Sequence, residues 1–203
     1  MTRTLQDAAR DAAGCTRCAL SQGRTQVVYG AGNPRAELMF VGEAPGFHED
    51  RQGVPFVGAA GGLLTGLLEG IGLSRDDVYI ANVLKCRPPG NRDPQTDEID
   101  ACRPWLLEQL DLVAPLLICT LGNFSTRLLL QTQAGISRVR GQRFTYRGRA
   151  LIPTFHPAAI LHGGRSSNQM AQMEDDFRLL PKVLEELRAA APPDPDAEQL
   201  GLF

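Results

Sequence analysis

The chain alternates between short apolar runs and longer stretches whose apolar residues recur every three or four positions. Leu38 to Val41 is a run of four apolar residues, as in a strand buried on both faces of a parallel sheet. Val78 to Leu84, Leu116 to Leu121 and Leu151 to Phe155 read the same way. Between them lie segments of helical period. Leu63, Leu64, Leu67 and Leu68 mark a helix from Ala60 to about Ile71, followed by helices over 94–110, 124–130 and 168–188. A short amphipathic helix over residues 1–13 ends at Gly14. Arg143 to Tyr146 with Arg147-Gly-Arg149 reads as a hairpin. Strands alternating with helices predict an α/β fold: a three-layer α/β/α sandwich around a four-stranded parallel sheet.

Three strands stop at residues able to do chemistry. The first breaks at Gly42-Glu-Ala-Pro-Gly46, which leaves Glu43 and Ala44 at its carboxyl end, where open α/β sheets hold ligands. The acidic stretch from Phe47 to Gly53 reads as a mobile loop. Asn82 is a poor strand former within a β-branched run, so it either satisfies a buried hydrogen bond or reads a ligand. The last strand ends at His156-Pro157. Glu43, Asn82 and His156 are expected to converge at one sheet edge, with Phe56 nearby.

Composition narrows the class. At 203 residues and 43% hydrophobic, the chain fits one compact domain over 1–188 with a core of its own. No apolar run is long enough to span a bilayer, and the first residues hold no apolar signal core, which predicts a cytosolic protein. A net charge of -2 argues against a polybasic binder, so any contact with nucleic acid needs a local patch. Arg138, Arg140, Arg143, Arg147 and Arg149 supply one candidate.

Of five cysteines, Cys119 lies within an apolar strand and reads as a small core residue. Cys15 and Cys18 form a Cys-x2-Cys pair, and Cys86 and Cys102 flank the loop from Arg87 to Ala101. In a cytosolic chain these four point to a metal site. Zinc sites more often use two tight pairs, so the uneven spacing leans toward an iron–sulfur cluster, with zinc as the alternative.

Taken together, Gly42-Glu-Ala-Pro-Gly46, Asn82, His156-Pro-Ala-Ala-Ile160 and the four cysteines resemble the family 4 uracil-DNA glycosylases over about residues 14–188. The resemblance implies a structural [4Fe-4S] cluster on Cys15, Cys18, Cys86 and Cys102. It also implies hydrolysis of the glycosidic bond of uracil in DNA. Gly42, Ala44, Phe56, Asn82 and His156 would form the base site, with Glu43 and His156 as the catalytic pair. Phe56 would stack on the flipped base, and Asn82 would accept from uracil N3–H while donating to O4. Gly46 stands where a related family has a tyrosine that excludes thymine, which leaves Glu49 as the candidate for that task. Ile160 or Leu161 would wedge into the vacated stack, and Arg138, Arg140 and Arg165 would contact phosphates. No histidine falls in the loop from Lys85 to Pro94, so a trapped covalent product is not expected. Two rivals remain: a non-catalytic iron–sulfur or zinc module that binds damaged DNA, and a small-molecule hydrolase using the same sheet edge.

Residues 189–203 are acidic and rich in proline, as in a disordered spacer. They end in Gln199-Leu200-Gly201-Leu202-Phe203, which resembles the peptide that docks on the bacterial sliding clamp. Nothing in the chain requires more than a monomer.

Overall fold

A computed structural model describes residues 3–162 and 167–190. The apolar runs form parallel strands β2 (Leu38–Gly42), β3 (Tyr79–Asn82), β4 (Leu117–Leu121) and β6 (Arg149–Thr154). Two strands extend the expected four: β1 (Ala31–Gly32) pairs antiparallel with β3, and β5 (Phe144–Tyr146) forms the predicted hairpin with β6. The order across the sheet is β1-β3-β2-β4-β6-β5. The edge strand β1, two residues long, is too short for periodicity to reveal.

Alternation along the strands divides the core into two layers. Met39, Val41 and Ile118 face one side, where α1 (Leu5–Ala13) and α4 (Thr96–Val113) contribute Ala8, Ala12, Trp105, Leu106 and Leu110. Leu38, Phe40, Leu117 and Cys119 face the other side. There α3 (Ala59–Glu69) and α8 (Ser167–Ala190) bring Leu64, Leu68, Met173, Phe177 and Leu180. Phe40 and Phe177 stack with ring centroids 5.6 Å apart, which joins strand to helix at the centre of that layer.

The stretch expected to be a mobile loop is instead helix α2 (Phe47–Gln52). Its acids explain the ordering. Asp50 is buried and accepts hydrogen bonds from the Thr25 N–H at 2.9 and 3.1 Å, while Glu49 accepts from Val57 and Gly58 at 2.9 and 2.8 Å. These carboxylates, acidic in sequence, are interior struts. The remaining short helices are α5 (Asn123–Leu130), α6 (Ile136–Val139) and α7 (Pro157–His162).

The chain runs from β2 outward to β3, then returns past β2 to β4. The reversal places a crevice beyond the carboxyl ends of β2 and β4, where doubly wound sheets bind ligands.

Candidate active site

A cleft of about 270 Å3 opens at that crevice and is lined by Glu43, Ala44, Gly46, Glu49, Phe56, Asn82, Arg92 and His156 among others. The three strand-end residues and Phe56 thus share one cavity.

Two features of the backbone shape it. Gly42 has no side chain, and a Cβ there would come within 2.4 Å of Asn82 Oδ1 and 2.7 Å of the Phe56 ring. Phe56 has φ of 55°, a left-handed conformation that is costly for an aromatic residue. It persists because hydrogen bonds grip the backbone on both sides. Arg75 donates to the carbonyls of Pro55 and Phe56 at 2.7 and 3.0 Å, and Glu49 holds the N–H groups of Val57 and Gly58.

Asn82 is buried, and its Oδ1 has no hydrogen-bond partner among the described residues. A buried amide oxygen left unpaired costs about 1–3 kcal/mol, which a donor entering the cleft would recover. The Asn82 carbonyl is in turn held by the buried Lys85 ammonium at 2.7 Å. Lys85 also donates to Gln109 Oε1, and Gln109 donates to Tyr29 O at 2.7 Å and Tyr79 Oη at 3.1 Å.

His156 Nδ1 accepts a hydrogen bond from Ala158 N–H at 3.2 Å, so the neutral ring carries its proton on Nε2. Burial pushes its pKa down to about 4. The imidazole is therefore a neutral donor at physiological pH, 5.7 Å from the Phe56 ring between centroids. Glu43 behaves in the opposite sense. Burial, helped by the negative charge of Asp93, pushes its carboxyl up to about 7, which suits a group that takes up or releases a proton near neutrality.

Cys15, Cys18, Cys86 and Cys102 surround a second, smaller cavity together with Arg24, Lys85 and Trp105. Several N–H groups already point at the sulfurs. Lys85 N–H reaches Cys102 Sγ at 3.2 Å, Trp105 Nε1–H reaches Cys15 Sγ at 3.4 Å, and Arg24 reaches Cys86 Sγ at 3.5 Å. Among the described residues no three His, Cys, Asp or Glu side chains are gathered around one point as ligands of a single metal ion.

The model of the Uracil DNA glycosylase superfamily matches residues 29–178. The chain belongs to this superfamily. It is 49% identical over 173 residues to the Type-4 uracil-DNA glycosylase of Sulfurisphaera tokodaii, covering 81% of this chain and 77% of that protein. The Type-4 uracil-DNA glycosylase of Saccharolobus solfataricus is 46% identical over 179 residues (84% and 82% covered). That of Archaeoglobus fulgidus is 46% identical over 183 residues (86% and 90% covered).

Not every residue singled out in the sequence lies where a superfamily enzyme would need it. Ile160 is 2% exposed and packs in the layer of α3 and α8, so it cannot enter a DNA stack; Leu161 is only partly buried and remains available. Arg140 is also committed inward. Its guanidinium pairs with Asp176 at 2.9 and 2.5 Å and lies 5.5 Å from the centre of the Phe155 ring, so it braces β6 against α8 rather than reaching phosphate. Arg138 stays exposed, and Arg165 lies outside the described residues, as do Gln199, Leu200, Leu202 and Phe203. Sequence reasoning missed Arg75 and Lys85. No local pattern marks them, because their partners are backbone carbonyls and, for Lys85, also the sequence-distant Gln109 side chain.

The imidazole gives a pH prediction. An unfolded chain protonates this histidine near pH 6.5, whereas the folded protein resists until about pH 4. Its contribution to stability is therefore complete above about pH 6.5 and declines as pH falls across that window. NMR titration should show the His156 ring neutral at pH 5, and His156→Gln should flatten the loss of stability between pH 6.5 and 4.

Proposed function

We propose that this protein is a uracil-DNA glycosylase that extrudes uracil from DNA and hydrolyses its N-glycosidic bond, leaving an abasic site for base excision repair. The observation that carries the reading is the orphaned Asn82 oxygen in a cleft that also holds a neutral imidazole and a stacking ring. Uracil offers N3–H to that oxygen and O4 to the amide nitrogen. Cytosine reverses both, which would leave a buried donor facing a donor.

Bond cleavage leaves negative charge on the uracil, and His156 Nε2–H donates toward O2 as that charge develops. Removing one such donor costs other enzymes about 10²–10³ in turnover. Glu43 orients the attacking water and stabilises the cationic sugar when ionised. Phe56 stacks on the base, and Gly42 and Ala44 give it room. Glu49, besides holding the Phe56 loop, brings its second carboxylate oxygen beside Gly46 at the cleft wall, where a thymine methyl group would meet it. Arg138 and Arg165 contact phosphates, and Leu161 fills the vacated stack.

Cys15, Cys18, Cys86 and Cys102 would hold a [4Fe-4S] cluster. Their arrangement around a cavity and the N–H groups turned toward three of the sulfurs support a thiolate metal site, and the similarity to Type-4 uracil-DNA glycosylases favours the cluster over zinc. The cluster would supply a cross-link between the N-terminal segment, the end of β3 and α4, and no catalytic step depends on it. We further place the protein in the cytoplasm at the nucleoid, as a monomer whose residues 199–203 dock on the sliding clamp. No helix among the described residues is long and apolar enough to cross a membrane.

Incubation with a uracil-containing oligonucleotide followed by alkali should break the strand at uracil, with the rate lowered about 10²–10³-fold in His156→Ala; intact strands with the wild type would refute the assignment. Anaerobically purified protein should be brown with broad visible absorbance, lost in Cys102→Ser along with thermal stability, while a colourless protein containing zinc would overturn the cluster. Removing residues 199–203 should abolish clamp binding and leave uracil release unchanged.

A further inference from the structure

Helix α2 is built inside out. Its acid Asp50 is 4% exposed whereas its first residue, Phe47, is 46% exposed. An ordinary surface helix does the reverse, burying the aromatic and solvating the acid. The acids have interior work at Thr25, Val57 and Gly58, which fixes the rotation of the helix and leaves Phe47 facing water. Val54, at 37%, is the only other large hydrophobic residue so exposed among the described residues.

The surroundings of Phe47 are cationic. The Arg87 guanidinium lies over the ring at 5.1 Å from its centroid and that of Arg51 lies over it at 5.6 Å, while His48 meets the ring edge-on at 5.5 Å. Neither arginine has a carboxylate partner among the described residues, and the two acids of α2 are turned inward. Arg87 is steadied by Asn91 Oδ1 at 2.7 Å. Asn91 lines the cleft wall, and so does Gly46, the residue before Phe47. The aromatic ring and its two cations therefore sit on the rim of the base cleft.

We propose that Phe47, Arg51 and Arg87 form a stacking shelf for the nucleotide next to the extruded uracil, the base taking the ring face as a guanidinium swings off it onto the adjoining phosphate. An exposed aromatic ring held by cations without carboxylate partners is the chemistry that single-stranded nucleic acid selects, because any base can stack and every phosphate can pair. The shelf rests on the reading of the protein as a uracil-DNA glycosylase. It gives single-stranded or locally opened DNA the advantage over intact duplex, whose neighbouring bases are already stacked.

The test compares uracil release by wild type, Phe47→Ala and Phe47→Trp on three single-stranded oligonucleotides: one with ordinary neighbours, one with an abasic spacer 5′ to the uracil and one with the spacer 3′ to it. On the ordinary strand Phe47→Ala should raise KM on the order of 10-fold with kcat within about 2-fold, and Phe47→Trp should restore KM. With the spacer on the side the shelf serves, wild type and Phe47→Ala should become alike. Arg87→Ala should reduce the slope of log affinity against log salt by about 0.7. An equal Phe47→Ala defect on all three strands, or none on any, would overturn the shelf. Failure of the wild type to release uracil from any strand would instead overturn the enzymatic reading.

Discussion

The cleft exists because Phe56 is held in a backbone conformation it would not choose. A left-handed phenylalanine persists only where its neighbours over-determine it. Here Arg75 takes the two carbonyls at positions 55 and 56, and Glu49 takes the two N–H groups at 57 and 58. Gly61 of α3 completes the constraint, since a Cβ there would fall 1.8 Å from the Phe56 carbonyl oxygen. The ring is thereby pressed against Gly42 and turned toward the imidazole. Without this grip the aromatic wall would relax, and Asn82 and His156 would face an open surface instead of a slot.

A second constraint joins the cleft to the cysteines. Val83 N–H pairs with Gly42 on β2, so the alternation of the strand turns the Asn82 carbonyl toward the other side, beyond the last register of β1 at Ile80. Lys85 supplies the missing donor from below, at the cost of burying an ammonium among neutral partners: a backbone carbonyl, an amide and the face of Tyr29. Burial draws its pKa down to about 8. The same residue gives its backbone N–H to Cys102. One lysine thus spans the few ångströms between the base-reading amide and the four-cysteine cavity.

Much of this was legible in the chain. Strands buried on both faces carry no polar alternation, so Leu38 to Val41 and Leu116 to Cys119 stand out as unbroken apolar runs, and the residues that end such strands become conspicuous. Glu43, Asn82 and His156 were visible for that reason. Side chains that act on the backbone leave no such trace. Asp50 and Glu49 look like surface acids, and Arg75 looks like any loop arginine. The wedge and phosphate assignments of Ile160 and Arg140 failed because both depend on which face of a short element turns inward. That is decided by packing partners on α3 and α8 that lie far away in sequence.

Between the ends of β2 and β6 stands β4, and it is followed by Gly122, whose φ is 88° and whose missing Cβ would lie 2.9 Å from that of His156. The seat of the imidazole is therefore set by an omission. A methyl group at this one position would push the imidazole sideways while removing none of the reacting groups. Alanine at 122 would thus yield a protein with a full complement of reacting groups and a poor fit between them.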